Sequence, residues 1–463
     1  MKNMTLEQMA KACSGTLFAG EYDKEQTAAG VVIDSRQVRP GYVFVAIPGE
    51  RVDGHDFIPQ VFAQGAFAVI SEKELEAPAG PYILVASTKT ALANLAAHYR
   101  ASLDIPVVGI TGSVGKTSTK EMISAVLSQK YKVHKTAGNF NNEIGLPLTV
   151  FQITEEAQVA VLEMGISEFG EMTRLAKVAR PNIAVITNIG ICHLENLKTR
   201  DGILQAKTEM FDHLAEHATV VLNGDDDKLC TVERVQGNPP VFYGMGEDKP
   251  QAAVYDKKSV FATEVENLGL EGVRFLLHLP QGAYPLQTFI PGVHNVYNAC
   301  AAAAVGLALG LTQEEICRGI ESAQTIAGRT NLIHAKDYLV IDDCYNANPV
   351  SMKAAIDVLV QAKGRKIAVL GDMGELGENE EKLHYEVGTY LAKSKVDLLF
   401  TSGELCRHLK RGVTDHPHTV ICRQFDSRDE LLEKLKETIQ QGDTILVKAS
   451  HFMGYQDIVK ALI

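Results

Sequence analysis

The stretch PVVGITGSVGKTSTK, residues 106–120, combines a short β-branched run, three glycines and the start of a helical pattern. Val107 and Val108 favour a strand, and a polar–apolar pattern of helical period begins at Lys116. The glycines between them lack Cβ atoms, so the loop can turn its backbone N–H groups inward onto an anion. The partial positive charge of the helix N-terminus adds to that attraction. The stretch therefore predicts a phosphate-binding loop between a strand and a helix.

The residues after the last glycine indicate which phosphates this loop would bind. Lys116 would reach the β- and γ-phosphates of a nucleotide, and the Thr117 hydroxyl would hold Mg²⁺. The strict G-x-x-x-x-G-K-[ST] pattern fails at Ile110, which stands in place of its first glycine, so an ordinary glycine turn is the alternative. We predict that ATP is bound by the whole loop, which consists of Gly112, Ser113, Val114, Gly115, Lys116, Thr117 and Ser118.

Length and composition indicate a multidomain enzyme. The chain has 463 residues, and a prior of about 150 residues per domain suggests three domains. Hydrophobic residues at 46% and charged residues at 22% are typical of a soluble globular protein. The net charge of −12 argues against a general nucleic-acid binder, because such a protein needs a basic surface.

Cysteine usage and hydropathy predict the compartment. The eight cysteines are scattered without a C-x-x-C pair or zinc spacing, which is typical of reduced thiols in the cytoplasm. The N-terminal MKNMTLEQMAKACSG lacks an apolar secretion segment, and no apolar run reaches the length of about 18 residues that a membrane span needs. We expect a cytoplasmic protein without a membrane span.

The order of strand-like and helix-like segments predicts an α/β protein of three domains. Residues 1–103 are interpreted as a small N-terminal α/β domain, and 104–326 as a central domain with a parallel sheet behind the phosphate loop. Within the central domain, residues 251–290 alternate as a small antiparallel region. Residues 327–463 alternate strands and helices, which predicts a Rossmann-like domain with helices on both faces of a parallel sheet. The GDMGELGE segment at 371–378 lacks the dinucleotide-binding spacing and is interpreted as a turn.

Several polar residues of the central domain have both a functional and a structural interpretation. Glu163 ends an apolar strand, His193 follows the next strand, and Lys207 lies on the helix after it. Ligands bind at the carboxyl ends of strands in open α/β sheets, which favours a functional role for this group. The alternatives are an exposed strand-end glutamate, a structural histidine and a solvated helix lysine. Asn295 and Asn298 begin an alanine-rich helix, where asparagine caps more often than it binds a ligand.

Two further segments carry polar residues whose role stays open at this point. Ser35 and Arg36 follow a strand of the N-terminal domain and suit a phosphate, a uracil edge or an ordinary surface turn. The loop 139–147, NFNNEIGLP, includes Asn141 and Asn142, and asparagines so close together are often turn formers.

With these residues in view, the chain resembles the Mur ligase family along nearly its whole length. The segments TGSVGKTS, LEMGI, NIGICHLE, QAKTE, HNVYNA and GRTNLI occur in the family's order and approximate spacing. NFNNEIGLP and DDCYNANPVSM (342–352) are similar to the branch that adds D-alanyl-D-alanine. The branch that adds the third amino acid shares the DSR and DGH segments, and the DNPR motif of its diaminopimelate-reading members is absent. One departure is KASHFMG at 448–454, where many relatives are closer to K-G-S-R.

The resemblance implies an ATP-dependent amide ligase of peptidoglycan precursor synthesis, which joins D-alanyl-D-alanine to a UDP-N-acetylmuramoyl-tripeptide. Lys116, His193 and Lys207 would be the catalytic group, with Thr117 and Glu163 on one Mg²⁺ and His193 on a second. Lys207 is similar to the lysine that the family carbamylates, a change that turns a cation into a carboxylate-like metal ligand. The other implied contacts are Asn295 and Asn298 with adenine, Arg329 with the γ-phosphate, Asp343 with ribose, and Ser35, Arg36, Asn141 and Asn142 with the UDP substrate.

The competing class is a P-loop switch or motor ATPase. No N-K-x-D guanine motif, internal repeat or coiled-coil region supports that class. We therefore expect a ligase with two peptide substrates, ATP and Mg²⁺, acting as a monomer. The sequence leaves open whether the tripeptide ends in lysine or diaminopimelate.

Overall fold

The computed structural model describes residues 4–246 and 260–463 and divides the chain into two compact units. The first unit comprises Met1–Thr111, Tyr131–Val185 and Lys207–Thr219; the second comprises Gly112–Lys130, Ile186–Ala206 and Val220–Ile463. The domain boundaries predicted after residues 103 and 326 stay predictions. Within the described ranges, no helix combines the length and apolar character needed to cross a membrane.

The N-terminal part forms a five-stranded sheet with the order β1-β5-β4-β3-β2. Strands β2 to β5 pair in parallel, and β1 joins β5 in the antiparallel sense. Asp34 caps a 3-10 turn at Ser35–Gln37 directly after β2, which places this turn at the carboxyl end of that strand. The elements are α1 (Leu6–Cys13), β1 (Thr16–Phe18), β2 (Gly30–Val32), β3 (Tyr42–Val45), α2 (Ile58–Ala63), β4 (Ala68–Ser71), β5 (Tyr82–Leu84) and α3 (Thr88–Ala101).

The central part contains parallel strands in both units. In the first unit β6, β8 and β7 pair in parallel, and in the second β10, β11 and β12 do so before the antiparallel strands β13 and β14. The predicted antiparallel region is confirmed for 260–288, while its residues 251–259 lie outside the described residues. The elements are β6 (Val107–Thr111), α4 (Lys116–Leu127), β7 (Val133–Lys135), α5 (Gly145–Phe151), β8 (Val159–Glu163), α6 (Glu171–Ala179), β9 (Ile183–Ile186), α7 (Leu194–Leu197), α8 (Arg200–Thr208), β10 (Thr219–Asn223), β11 (Val241–Met245), β12 (Val260–Asn267), β13 (Val273–Leu279), β14 (Gly282–Thr288), α9 (His294–Ala308) and α10 (Gln313–Ser322).

The C-terminal part confirms the predicted parallel sheet, with the strand order β15-β16-β20-β17-β18-β19. Only the edge strand β15 is antiparallel to its neighbour. Two hydrophobic clusters cover its faces, one around Met352 and Val387 and the other around Leu431 and Ile458. The elements are β15 (Asn331–His334), β16 (Leu339–Asp342), α11 (Pro349–Val360), β17 (Lys366–Gly371), α12 (Glu380–Ala392), β18 (Leu398–Ser402), α13 (Cys406–Thr414), β19 (Ile421–Phe425), α14 (Arg428–Thr438), β20 (Thr444–Lys448) and α15 (Gln456–Leu462).

Candidate active site

Two glycines give the phosphate loop a backbone path that other residues cannot follow. Gly112 has φ of 150°, and a Cβ there would lie 1.9 Å from the Thr187 Oγ1. Gly115 has φ of 85° and is the N-cap of α4, with no side chain to occupy the helix end. The loop thus leaves the first turn of α4 open to an anion, as the glycine spacing predicts.

Two side chains beyond β9 hold the loop from the side. Asn188 accepts a hydrogen bond from the Val114 N–H at 3.0 Å and donates one to the Val114 carbonyl at 2.9 Å. Thr187 donates to the same carbonyl at 2.6 Å. Neither residue is predicted from the sequence, although their position directly after a buried strand is a signal that favours a site residue.

We expect Asn188→Ala to raise the KM for ATP about tenfold, because the part-buried Val114 N–H loses its partner and the loop loosens. The KM for the other substrates should stay within a factor of about two, since this loop is predicted to bind ATP alone. Steady-state kinetics checks this, with the exposed Asn196→Ala as a control. An unchanged KM for ATP would show that the loop keeps its shape without the asparagine.

The Lys116 side chain turns back toward the phosphate loop, which precedes it in the chain. Its Nζ donates to the Gly112 carbonyl at 2.8 Å. A phosphate oxygen placed in the loop would be a stronger acceptor for the same ammonium, because it carries charge. Lys116 is therefore in the position from which it can reach a bound polyphosphate.

A cavity of about 310 Å³ lies beside the loop within the second unit. It brings together residues that are far apart in the sequence, and its size suits part of a nucleotide. Predicted site residues contribute to its wall, among them Gly115, Ser118, Asn298, Arg329 and Asp343.

The capping interpretation of the α9 asparagines is wrong, because Val293 is the N-cap and makes no side-chain cap. Asn295 instead donates to the Pro291 carbonyl at 2.8 Å, and Asn298 donates to the Asn295 Oδ1 at 2.8 Å. The Oδ1 of Asn298 accepts a hydrogen bond from Thr119 at 2.7 Å. These bonds fix the Asn298 amide at the cavity wall and tie α9 to the helix of the phosphate loop.

The C-terminal side of the cavity carries a buried ion pair. Lys448 Nζ lies 2.6 Å from the Asp343 Oδ2, and the Lys448 side chain is only 1% exposed. Burial lowers the pKa of Lys448, and the neighbouring carboxylate offsets part of that shift. The second Asp343 oxygen accepts from the Thr330 N–H at 3.0 Å. Lys448, the first residue of the KASHFMG segment, therefore orients the carboxylate predicted to contact ribose.

His193 is paired with Glu375, a residue of the predicted turn at 371–378. Its Nδ1 lies 2.9 Å from the Glu375 Oε2, and this hydrogen bond holds the pKa of the Glu375 carboxyl below its usual value. The predicted turn at 371–378 is confirmed as a connection between β17 and α12, and Glu375 there has φ of 61°. The pair leaves the Nε2 of His193 on the side away from the carboxylate.

Glu163 and Lys207 belong to the first unit, whereas Thr117 and His193 belong to the second. Glu163 is 2% exposed and accepts a hydrogen bond from the Asn141 Nδ2 at 2.8 Å. Lys207 is 1% exposed. The alternatives of an exposed glutamate and a solvated lysine are therefore wrong, because both charged groups are buried.

The remaining predicted substrate residues lie in turns of the first unit. Arg36 is 85% exposed and pairs with Asp34 at 2.7 Å, while Ser35 is half-buried at the start of the same 3-10 turn. Asn142 accepts a hydrogen bond from the Gly145 N–H at 2.8 Å and so supports the start of α5. This last contact is the turn-forming role that the asparagine spacing left open.

The predicted Mg²⁺ donors fit a hard cation by their chemistry. Thr117 offers a hydroxyl and Glu163 a buried carboxylate, and a buried carboxylate favours a nearby cation. Across 4–246 and 260–463, no group of three or more His, Cys, Asp or Glu side chains is arranged to hold a metal. Protein-bound Mg²⁺ usually takes one or two carboxylates, with waters and substrate phosphates completing the shell.

Comparison with known proteins identifies the class. The Mur ligase catalytic domain matches residues 27–100, the Mur ligase middle domain 110–306, and the Mur ligase glutamate ligase domain 328–451. A curated relative is 40% identical over 471 residues, covering 100% of this chain and 99% of its own. The chain belongs to the Mur ligase family and has its three-domain fold. That relative is the UDP-N-acetylmuramoyl-tripeptide–D-alanyl-D-alanine ligase of Bacillus subtilis (strain 168).

Solved structures give the same result. The chain superimposes on a crystal structure of MurF from Acinetobacter baumannii with a TM-score of 0.89 at 34% identity, covering 100% of this chain and 99% of that one. It matches MurF ligase from Thermotoga maritima in complex with ADP with a TM-score of 0.81 at 30% identity, covering 94% and 97%.

Proposed function

We propose that this chain is an ATP-dependent ligase that joins D-alanyl-D-alanine to a UDP-N-acetylmuramoyl-tripeptide in peptidoglycan precursor synthesis. The observation that carries this proposal is the phosphate loop opening onto a cavity that Arg329 and Asp343 also line. Full-length similarity to ligases of that name supports the substrates, and it favours them over those of the branch that adds the third amino acid.

The reaction begins with activation of the tripeptide carboxylate. A carboxylate oxygen attacks the γ-phosphorus of ATP, ADP leaves, and an acyl-phosphate forms. Two anions approach one another in this step. Lys116 and Arg329 supply positive charge at the phosphates, and this charge stabilises the transferring group.

The second step forms the amide bond. The free amine of D-alanyl-D-alanine attacks the acyl carbon, the amine loses a proton, and inorganic phosphate leaves. Asn298 and Asp343 would hold the adenosine part of the nucleotide throughout, since their side chains are already fixed by hydrogen bonds. Thr117, Glu163, His193 and carbamylated Lys207 would hold Mg²⁺, which when bound offsets phosphate charge.

The cellular setting belongs to the same proposal. All eight cysteines are free thiols, which suits the reducing cytoplasm that we predict. We propose a monomer with domains at 1–103, 104–326 and 327–463, of which the first binds the UDP substrate.

The direct test measures phosphate release from ATP with the purified chain, Mg²⁺ and UDP-muramoyl-tripeptides ending in lysine or diaminopimelate. Sustained release should require both the tripeptide and D-alanyl-D-alanine, and mass spectrometry should detect the pentapeptide product. ATP hydrolysis that needs neither substrate would instead support a P-loop switch, and a preference for single amino acids would support the other branch.

We expect Arg36→Ala to raise the KM for the UDP substrate about tenfold or more while the KM for ATP changes little. The exposed guanidinium pairs with Asp34 through Nε and Nη2, and a phosphate would accept from its outward N–H groups. Charge-assisted hydrogen bonds contribute about 1.5–3 kcal/mol. Arg39→Ala, at another exposed position nearby, is the matched control. Equal changes in both KM values would indicate a disturbed domain.

A further inference from the structure

The guanidinium of Arg329 lies on the face of an aromatic ring. Its Cζ is 4.2 Å from the centroid of the Tyr345 ring. Its Nε is buried and has no hydrogen-bond acceptor among residues 4–246 and 260–463. In such a stack the flat face of the guanidinium contacts the ring. The N–H groups lie in the guanidinium plane, so the stack itself does not use them as hydrogen-bond donors.

The backbone beneath the stack is fixed to the same segment as the ring. Gly328 donates its N–H to the Asp342 Oδ2 at 2.7 Å and accepts from the Tyr345 N–H at 3.2 Å. A Cβ at Gly328 would lie 3.0 Å from the Tyr345 Cβ, so the glycine permits this close approach. Thr330 is held on the other side of Arg329 by Asp343. Hydrogen bonds therefore hold the backbone on both sides of Arg329, and the Tyr345 ring restrains the direction of the arginine side chain.

Tyr345 also contacts a second aromatic ring, and it does not itself line the cavity. The His451 ring centroid lies 5.8 Å from that of Tyr345, with an interplanar angle of 39°. Arg329 is one of the described residues that line the cavity, and Tyr345 is not. Any effect of the Tyr345 ring on a ligand in this cavity would therefore pass through Arg329.

We propose that Tyr345 is a positioning residue that aims Arg329 at the terminal phosphate of ATP. The inference rests on the proposed function, which places the γ-phosphate within reach of Arg329. An unrestrained arginine loses side-chain entropy when it engages a phosphate, whereas the stacked side chain has lost part of it beforehand. The benefit appears only with ligands that carry a terminal phosphate for Arg329 to contact.

The test compares equilibrium binding of ADP and of a non-hydrolysable ATP analogue to the full chain with Mg²⁺. Tyr345→Leu should weaken binding of the analogue about tenfold and binding of ADP less than twofold. Tyr345→Phe keeps the ring face and should restore the wild-type preference. In turnover, Tyr345→Leu should lower kcat while leaving the KM for the UDP substrate unchanged.

Arg329→Ala separates failure of this inference from failure of the proposed function. If Arg329→Ala loses analogue affinity and Tyr345→Leu does not, the positioning role is overturned and the arginine's role stands. If Arg329→Ala has no effect, both are overturned. Equal weakening of ADP and analogue by Tyr345→Leu would assign the ring to structural support only. Should Tyr345→Leu fail to fold, Tyr345→Met, which keeps bulk without a π face, replaces it.

Discussion

Replacing Lys116 with alanine is expected to abolish ligation while leaving the fold intact. The ammonium would move from the Gly112 carbonyl, 2.8 Å away, to the phosphates, where charge builds up as the phosphoryl group is transferred. Its loss removes about 3 kcal/mol or more of transition-state stabilisation, which is at least a hundredfold in kcat. Phosphate release in the complete assay measures the effect.

The structural cost of this change should be small, which makes the loss interpretable. The hydrogen bond from Lys116 Nζ to the Gly112 carbonyl disappears, which is worth about 0.5–1.5 kcal/mol of folding free energy. Thermal unfolding followed by circular dichroism checks the fold, and the exposed Lys177→Ala serves as the control. Near-normal turnover by a folded Lys116→Ala protein would remove the phosphate-loop interpretation.

Lys207→Ala should be nearly inactive, and short-chain carboxylates should restore part of its activity. Lys207 is 1% exposed, and a permanent ammonium there would repel the divalent cations of the proposed site. For unit charges about 4 Å apart, that repulsion is about 4 kcal/mol at an effective dielectric of about 20. Addition of CO₂ to the neutral amine reverses the charge and provides two oxygen ligands suited to Mg²⁺.

Formate, acetate and propionate would occupy the space that the shortened side chain vacates. We expect activity to rise with carboxylate concentration in Lys207→Ala and to stay flat in wild type and in the exposed control Lys89→Ala. Carbon-13 NMR of the protein equilibrated with labelled bicarbonate provides a readout independent of turnover, with a carbamate signal that Lys207→Ala lacks. Full activity of Lys207→Ala, or no such signal in wild type, would contradict the carbamate.

The family and the fold class can be predicted from short stretches of sequence, because the patterns that indicate them involve residues close together in the chain. The spacing of Gly112, Gly115 and Lys116 predicts the phosphate loop, because positive φ values and a helix start are properties of a short segment. The alternation of strands and helices in the C-terminal part can also be predicted from the sequence, since the strands of a buried parallel sheet are continuous apolar runs. The long connection containing Glu375 was predicted only as a turn, because no local pattern shows which distant side chain it meets.

The sequence by itself determined the phosphate loop, the α/β class and the family, and it placed Glu163 and His193 at strand ends and Lys207 on the helix that follows. Only the tertiary structure decided which side chains are buried and what each one contacts. Three features depend on how distant segments pack. They are the burial of Lys207, the pair of Glu375 with His193, and the stack of Arg329 on Tyr345. Those contacts are fixed by the packing of whole elements, and no spacing along the chain encodes them.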